Sequence, residues 1–427
     1  MTEAEAPPIL IHGVRIANAS GDGGGSATPA PAGAGPRDAD ADAAGSARAA
    51  SSMSILIRGG RIARLEPGGR RTNGVDAGAG AVRHFDGGGL LASIGLLDLQ
   101  INGAAGHDLT SAPESLWDVG AALPRYGVTA FLPTLISPGF DIVDGASAAF
   151  LAGPPPDYAG ATPLGWHVEG PFLAPARAGA HDPASLRAPD REAVRRWTPA
   201  RGIRMVTLAP ELPGAMGIVR ELSERGIVVS IGHSDATQVQ AAAAFDAGAR
   251  FVTHLFNAMG PLDHREPGLI GAALSDPRVT VGLIPDGLHV DPKMISLVRR
   301  VVGPDRLAIV TDAIAALGML PGLHRLANRE VIVDDASARL PDGVLAGSVL
   351  AMDQGVRNLA SFCAIEPEAA LVAATSVPAR LLELPARGAL AAGGVGDVTL
   401  FDANLAPVLT IVDGRVAFDA AEGSRWA

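Results

Sequence analysis

The sequence lacks the features that mark several large classes of protein. Cys363 is its only cysteine, which excludes an intrachain disulfide and a zinc site built from several thiolates. The 34 basic residues are outnumbered by 45 acidic ones, for a net charge of -11, and they form no long basic block. The electrostatic footprint of nucleic-acid binding is therefore missing. No apolar run reaches the roughly 18 residues that a membrane span requires, so we expect neither nucleic-acid nor membrane partners.

The N-terminus also lacks the positive charge of a secretory signal. Glu3 and Glu5 precede the first apolar stretch, at the place where a signal peptide would carry lysine or arginine. A single cysteine is consistent with a reducing compartment. These two observations predict a cytoplasmic location.

The composition nevertheless provides for a large apolar core. Hydrophobic residues make up 48% of the 427 positions and charged residues 19%, as in globular proteins. Residues 17–52 depart from this composition, because they are rich in Gly, Ala, Ser, Pro and Asp and contain no aromatic residue, Leu, Ile or Val. Such a segment cannot bury enough apolar surface to offset its ordering entropy, so we predict a disordered insert.

Short alternating apolar runs, which are typical of strands, occur at both ends of the chain. They cover residues 9–16, 54–65 and 81–91 near the N-terminus, and residues 397–401 and 408–418 near the C-terminus. We therefore predict a small β-sandwich domain formed from both terminal segments. The predicted division is 1–91 and 386–427 for this domain, and 92–385 for a second domain between them.

The central segment repeats a different pattern, in which apolar runs alternate with alanine-rich stretches of helical periodicity. Eight such runs are the number expected of a (β/α)8 TIM barrel. A doubly wound open sheet is the alternative, but neither G-x-G-x-x-G nor G-x-x-x-x-G-K-[ST] is present to support a nucleotide-binding fold. We predict an α/β fold whose barrel strands lie within residues 96–103, 129–136, 163–170, 204–211, 228–233, 251–257, 281–287 and 306–312.

Polar side chains that can bind metal or carry protons stand where most of these runs end. Glu169, His233, His254 and Asp312 are four of them. The carboxyl ends of barrel strands meet at one face, where active sites lie, so these side chains should converge. Two histidines and a carboxylate suit Zn²⁺ or another divalent first-row ion, and three protein ligands leave a position open for water. Asp312 is then the best candidate to move the proton.

Ten short motifs occur in the segment from residue 54 to the C-terminus. They are GLLDLQING (95–103), YGVTAFLPTLI (126–136), HVEGPFL (167–173), VTLAPE (206–211), GHSDAT (232–237), THLFNAM (253–259), REPGLIG (265–271), DGLHV (286–290), VTDA (310–313) and LAGSVL (345–350). In this order they resemble the N-acetylglucosamine-6-phosphate deacetylases, a branch of the amidohydrolase superfamily. The resemblance implies hydrolysis of N-acetyl-D-glucosamine 6-phosphate to D-glucosamine 6-phosphate and acetate.

The resemblance also implies a role for each matching position. Glu169, His233 and His254 are similar to the metal ligands of the family. Asp312 is similar to the general base that activates water and then protonates the leaving amine. His181 is similar to the histidine that contacts the substrate acetamide.

Further residues match positions that hold the sugar phosphate. In the family the arginine equivalent to Arg265 reaches in from the partner subunit, which implies a homodimer. Its planar guanidinium suits bidentate binding of phosphate. The predicted substrate contacts are Gln100, Ala180, His181, Asn257, Ala258, Arg265, Asp286, His289, Leu345, Ala346 and Gly347.

The sequence departs from many amidohydrolases at the end of the first barrel strand. Those proteins carry H-x-H, whereas this chain has Gln100 and Asn102 at the equivalent positions. The change removes two ligands, so we expect one metal ion per subunit, with Zn²⁺ favoured and Fe²⁺, Co²⁺ or Mn²⁺ as alternatives. Gln100 is then free to hydrogen-bond water or substrate.

Three other functions stay open from the sequence. The first is the same reaction on N-acetylgalactosamine 6-phosphate, which differs in the configuration of one hydroxyl. The second is hydrolysis of a cyclic amide, against which the REPG and DGLHV motifs speak. The third is a metal-free sensor of sugar phosphates, which intact ligand positions disfavour.

Overall fold

The computed structural model describes residues 6–17, 52–68 and 82–421. The predicted insert at 17–52 lies outside these residues except for its two end positions. In chain order the strands are β1 (Ile9–Ile16), β2 (Met53–Arg58), β3 (Arg61–Pro67), β4 (Arg83–Asp86), β5 (Leu91–Ile94), β6 (Leu96–Ile101), β7 (Gly103–Ala104), β8 (His107–Asp108), β9 (Val128–Ile136), β10 (Thr162–Pro163), β11 (Trp166–Glu169), β12 (Ile203–Leu208), β13 (Val228–Ile231), β14 (Phe251–Val252), β15 (Thr280–Leu283), β16 (Leu307–Ile309), β17 (Gly322–Leu326), β18 (Arg329–Val333), β19 (Ala338–Arg339), β20 (Val398–Phe401), β21 (Pro407–Val412) and β22 (Arg415–Asp419). The α-helices are α1 (Leu116–Ala122), α2 (Phe140–Leu151), α3 (Ala215–Glu224), α4 (Gln238–Asp246), α5 (Gly268–Ser275), α6 (Pro292–Val302), α7 (Met352–Cys363), α8 (Pro367–Leu371) and α9 (Ser376–Leu381).

Eight parallel strands form the central sheet, and each lies within or overlaps one of the predicted runs. Their neighbour order is β6, β9, β11, β12, β13, β14, β15 and β16, with the short β10 also paired to β9. These strands are buried on both faces, as all nine residues of β9 show. Such continuous burial is typical of parallel strands covered by helices. The predicted (β/α)8 barrel is confirmed.

The barrel closes between its first and last strands. A parallel bridge joins Ile101 to Ala313, just beyond the ends of the paired segments. The backbone N–H of Asp312 donates to the carbonyl of Gln100 at 2.9 Å, and that of Asn102 donates to the carbonyl of Ala313 at 2.7 Å. The chain after β6 and the chain after β16 are therefore held side by side at the carboxyl end of the barrel.

Amphipathic helices cover the barrel, and their ends follow from local sequence. In α6, Ile295, Val298 and Val302 face the core at helical spacing. The side chain of Asp291 caps its first turn by accepting from the N–H of Lys293. Helices α3 and α4 lie between β12 and β13 and between β13 and β14, as the alternation of apolar runs and helical stretches predicts. Among the described helices, none combines the length and hydropathy that a membrane crossing needs.

Strands from both ends of the chain form a second, smaller β domain. Its neighbour order is β22, β21, β20, β5, β1, β2 and β3, with β4 also paired to β1. Inward residues of both halves, such as Ile11, Ile57, Leu400 and Ile411, share one apolar core, as in a sandwich. Because β5 pairs with β20, this sheet extends three residues past the boundary expected at residue 91. The domain division itself stays a prediction.

A three-stranded antiparallel sheet that no sequence pattern predicted follows the last barrel strand. It consists of β17, β18 and β19. Leu326, Val331 and Ala338 bury one face against Ala346 and the barrel rim. Leu323 and Ile332 are paired on the opposite, exposed face. The sheet leads directly into the predicted substrate segment at 345–347.

Replacing residues 18–51 by a short glycine-serine linker should leave the fold intact. Val14 and Met53 are partners in the antiparallel pair of β1 and β2, so the segment leaves and re-enters neighbouring strands that a short loop can join. We expect the melting temperature to change by less than about 3 °C, which corresponds to roughly 3 kcal/mol in a chain of this size. A larger drop in a thermal melt would mean that the insert stabilises the domain.

Candidate active site

A cavity of about 380 Å³ opens at the carboxyl end of the barrel. Glu169 is the last residue of β11, while His233, His254 and Asp312 each follow their strand by two or three positions. All four side chains line the cavity. The parallel strands thus bring together four groups that are far apart in the sequence, as the sequence analysis expected.

Glu169, His233 and His254 form a compact group in which the three ligand atoms lie within 4.8 Å of one another. Glu169 Oε1 is 3.3 Å from His233 Nε2 and 3.2 Å from His254 Nε2. His233 Nδ1 lies 2.8 Å from the carbonyl oxygen of Arg177, so that nitrogen is the donor and Nε2 keeps its lone pair. The two Nε2 atoms face each other at 3.1 Å. Converging lone pairs and one carboxylate are a donor set that fits a divalent cation.

The charge state of this group also suits a cation. Burial favours the neutral acid, but the adjoining rings of His233 and His254 lower the pKa of Glu169 well below its ordinary value. The carboxylate is therefore ionised at neutral pH. Its negative charge, 2% exposed to solvent, is costly unless a positive charge lies nearby.

Asp312 stands beside the cluster and is held by two amides. Its Oδ1 accepts from Asn102 Nδ2 at 2.7 Å and from Gln100 Nε2 at 3.1 Å. Gln100 Nε2 also donates to Glu169 Oε1 at 3.1 Å, which ties both carboxylates to one amide. Burial, and then the charge of Glu169, raise the pKa of Asp312 to about 6. A carboxylate with a pKa near neutrality can both take and return a proton.

The two amides keep unused acceptors. No described residue donates to the buried Gln100 Oε1 or Asn102 Oδ1. A buried acceptor without a partner costs free energy, so these atoms offer positions for a donor from water or substrate.

The backbone at this site is unusual, and the sequence does not reveal it. His233, His254 and Asp312 have φ angles of 49°, 26° and 51°, in the left-handed region. Non-glycine residues held there store roughly 1–3 kcal/mol each. All three of these side chains line the cavity.

His181 also lines the cavity, where it is 4% exposed. Its Nε2 is 3.7 Å from Glu169 Oε2, and its Nδ1 is 2.7 Å from Ser137 Oγ. Burial, and then the neighbouring His233 ring, lower the pKa of His181 to about 3, so the ring is neutral. Ser137 was missed by the sequence analysis, although it directly follows β9 and the strand-end rule that selected the other residues applies to it equally.

The remaining predicted contacts divide into those that line the cavity and those that do not. Ala180, Asn257, Ala258, His289, Leu345 and Gly347 line it. Gln100 and Asp286 do not line the cavity but hold residues that do. Gln100 Nε2 donates to Asp312 Oδ1, and Asp286 Oδ2 pairs with His289 Nδ1 at 2.6 Å. Ala346, between Leu345 and Gly347 in the chain, is fully buried and does not line the cavity. Arg265 lies outside the cavity of its own chain, in an exposed stretch at 261–266.

Two further strand-end residues support the site without entering it. His167 is bound in the barrel interior, with Nε2 2.7 Å from Thr207 Oγ1 and Nδ1 3.2 Å from the carbonyl of Leu99. Glu211 accepts from Ser234 Oγ at 2.7 Å and from the N–H of Asp235 at 2.6 Å. Glu211 therefore fixes the loop that carries His233.

Sequence comparisons connect this architecture with characterised proteins. An N-acetylglucosamine-6-phosphate deacetylase from Lysinibacillus sphaericus is 35% identical over 367 residues, which are 85% of this chain and 93% of that protein. An N-acetylgalactosamine-6-phosphate deacetylase from Escherichia coli O157:H7 is also 35% identical, over 75% of this chain and 86% of its own. The chain is thus similar along most of its length to deacetylases of two epimeric sugar phosphates.

A solved structure shows the same fold. It is an aspartate-to-alanine mutant of N-acetyl-D-glucosamine-6-phosphate deacetylase from Mycobacterium smegmatis in complex with N-acetyl-D-glucosamine-6-phosphate. The TM-score is 0.77 at 32% identity, covering 86% of this chain and 94% of that one. Residues 91–417 match the sequence profile of the amidohydrolase family. With the barrel, the Glu–His–His cluster and the adjacent aspartate in place, the chain belongs to the amidohydrolase family.

Proposed function

We propose that this protein hydrolyses the acetamide of N-acetyl-D-glucosamine 6-phosphate, releasing acetate and D-glucosamine 6-phosphate. The observation that carries the proposal is the convergence of Glu169, His233 and His254 with Asp312 in one cavity. Its volume of about 380 Å³ falls in the range of small-molecule sites. The two kinds of relative reported above support an N-acetylated amino-sugar phosphate as the substrate.

Glu169, His233 and His254 would hold one divalent ion, and Zn²⁺ is the ion we favour. Such an ion polarises an amide carbonyl and makes water a stronger acid. The donor set has no thiolate, which leaves Fe²⁺, Co²⁺ and Mn²⁺ as alternatives. Gln100 and Asn102 replace the ligands that a second ion would need.

Asp312 performs the proton transfers in this proposal. Both amide donors bind its Oδ1, whereas no described residue donates a hydrogen bond to Oδ2. Oδ2 takes a proton from the attacking water as the new carbon–oxygen bond forms. The same proton then goes to the amide nitrogen as the carbon–nitrogen bond breaks, so the amine leaves in neutral form.

His181 stabilises the developing oxyanion. In this proposal Ser137 Oγ, 2.7 Å from Nδ1, donates to that nitrogen of the neutral ring, so that Nε2 carries the hydrogen and can donate to the carbonyl oxygen. A preorganised donor in a site that excludes water is commonly worth 10²–10³ in kcat. Asn257, Ala258 and His289 contact the sugar phosphate and orient the acetamide.

The galactosamine epimer is the second candidate substrate, because a relative at 35% identity is an N-acetylgalactosamine-6-phosphate deacetylase. The experiment is acetate release by purified, zinc-loaded protein. N-acetylglucosamine 6-phosphate, its galactosamine epimer and unphosphorylated N-acetylglucosamine are assayed in parallel. We expect the largest kcat/KM for the first. A preference for the epimer would change the substrate, and no release from any sugar would overturn the proposed reaction.

The quaternary structure and the cellular location are separate proposals. A homodimer would place Arg265 against the partner's cavity, which agrees with its exposure in its own chain. Sedimentation in solution tests the dimer. The cytoplasmic location stays a prediction from the sequence.

A further inference from the structure

One guanidinium of this chain lines the site cavity and lies outside the predicted substrate contacts. Among the cavity's described lining residues, Arg339 is the only lysine or arginine. Two lining histidines add little positive charge, because His181 is neutral and His289 is already paired with Asp286. Two carboxylates, Glu169 and Asp312, line the same cavity. A phosphate dianion that enters it therefore needs a positive charge near the mouth.

Backbone pairing fixes Arg339 beside the segment 345–347, which contributes to the cavity lining. Arg339 ends β19, where it pairs with Ile332 of β18. An antiparallel bridge also joins it to Leu345, which lines the cavity. Its Nη1 donates to the carbonyl of Gly343 at 2.9 Å. The guanidinium is thus tethered at one nitrogen to the turn that precedes residues 345–347.

The rest of the Arg339 side chain is available to a ligand. It forms no ion pair with any residue of the described ranges. The carboxylate that feels its charge is Asp334, whose oxygens already accept from the N–H groups of Ala336 and Ser337 and from Ser337 Oγ. A guanidinium has five N–H donors in a planar fork that matches phosphate. Most of those donors remain unused.

We propose that Arg339 binds the phosphate group of the substrate in the cavity of its own chain. The inference rests on the proposed function, since it assumes a phosphorylated sugar. It adds a cation supplied within the subunit to the one expected from the partner's Arg265. Arg339 lies away from the Glu169 cluster on a separate sheet, so its contribution is to substrate binding and to the preference for phosphorylated sugars.

The test compares Arg339→Gln with Arg339→Lys and with Arg325→Gln as the matched control. Arg325 is an exposed arginine of the same small sheet, on β17, but it lines a neighbouring cavity rather than this one. For Arg339→Gln we expect KM for N-acetylglucosamine 6-phosphate to rise about tenfold, the effect of a partly exposed charged contact. We expect kcat to change less than about twofold, because the contact is equally strong in ground and transition states.

The kcat/KM for unphosphorylated N-acetylglucosamine should stay unchanged in Arg339→Gln. Arg339→Lys should recover part of the loss, and Arg325→Gln should behave as wild type. An unchanged KM in Arg339→Gln, or an equal loss on both sugars, overturns the inference while the reaction stands. Titration calorimetry with glucosamine 6-phosphate provides the second readout. If wild type releases no acetate but binds this sugar phosphate through Arg339, the proposed reaction fails and the inference stands. If wild type neither releases acetate nor binds this sugar phosphate, both are overturned.

Discussion

Replacement of Asp312 by asparagine should lower kcat for acetate release by roughly 10³-fold, within the range that general acid–base catalysis contributes. Asparagine keeps an Oδ1 that can accept from Gln100 and Asn102, so the local hydrogen bonds persist. It also tolerates the left-handed conformation, with φ of 51°, that Asp312 adopts. The variant therefore removes the proton acceptor and leaves the backbone in place. Steady-state kinetics at saturating substrate measures the loss.

The control for this variant is Asp353→Asn. Asp353 is another buried carboxylate, 7% exposed, and pairs with Arg357 on α7 away from the cavity. It tests whether the loss of any buried negative charge lowers activity. We expect it to reduce the melting temperature while kcat stays within about threefold of wild type. A comparable kcat loss in both variants, or near-normal kcat in Asp312→Asn, would exclude Asp312 as the proton acceptor.

The second large effect is expected from the metal ligands. His254→Asn removes one imidazole from the cluster and still permits the backbone φ of 26°. We expect metal content to fall from about one ion per chain to below roughly a tenth, since even indirect supporting residues are worth 10–100-fold in metal affinity. Acetate release should fall by at least roughly a hundredfold. Elemental analysis of the dialysed protein measures the metal, and added Zn²⁺ should restore little activity.

His181→Asn separates metal binding from oxyanion stabilisation. His181 is as buried as His254 and packs edge-to-face on His233 at 4.4 Å, but it lies outside the three-residue cluster. We expect it to keep its metal and to lose roughly 10²-fold in kcat. Full metal content in His254→Asn, or equal metal loss in the two variants, would show that the ligand set has been assigned incorrectly.

The sequence predicts much of the barrel and its site because both depend on local patterns. Strands that helices cover on both faces must be apolar throughout, so runs such as β9 are visible as continuous apolar segments. The polar residue that ends such a run marks the face where a site forms. Glu169, His233, His254 and Asp312 could be placed together on that basis, and the family resemblance gave each a role.

Other features depend on distant parts of the chain and leave no local sign. The left-handed turns at His233 and Asp312 occur at non-glycine residues, only a small fraction of which adopt this conformation, and the surrounding fold imposes it. The small sheet of β17 to β19 has short strands with exposed apolar residues such as Leu323, which resemble loop sequence. Arg339 lines the cavity only when that sheet is folded, so its role cannot be predicted from the neighbouring sequence.

Barrel closure has a consequence for folding kinetics. The hydrogen bond between Gln100 and Asp312 joins residues 212 positions apart, across the junction of the first and last strands. Contacts of such long sequence separation carry a high loop-closure entropy and form slowly. Helical circular dichroism should therefore return before acetate release when the protein refolds, and a nascent chain that ends before β16 holds only part of the site.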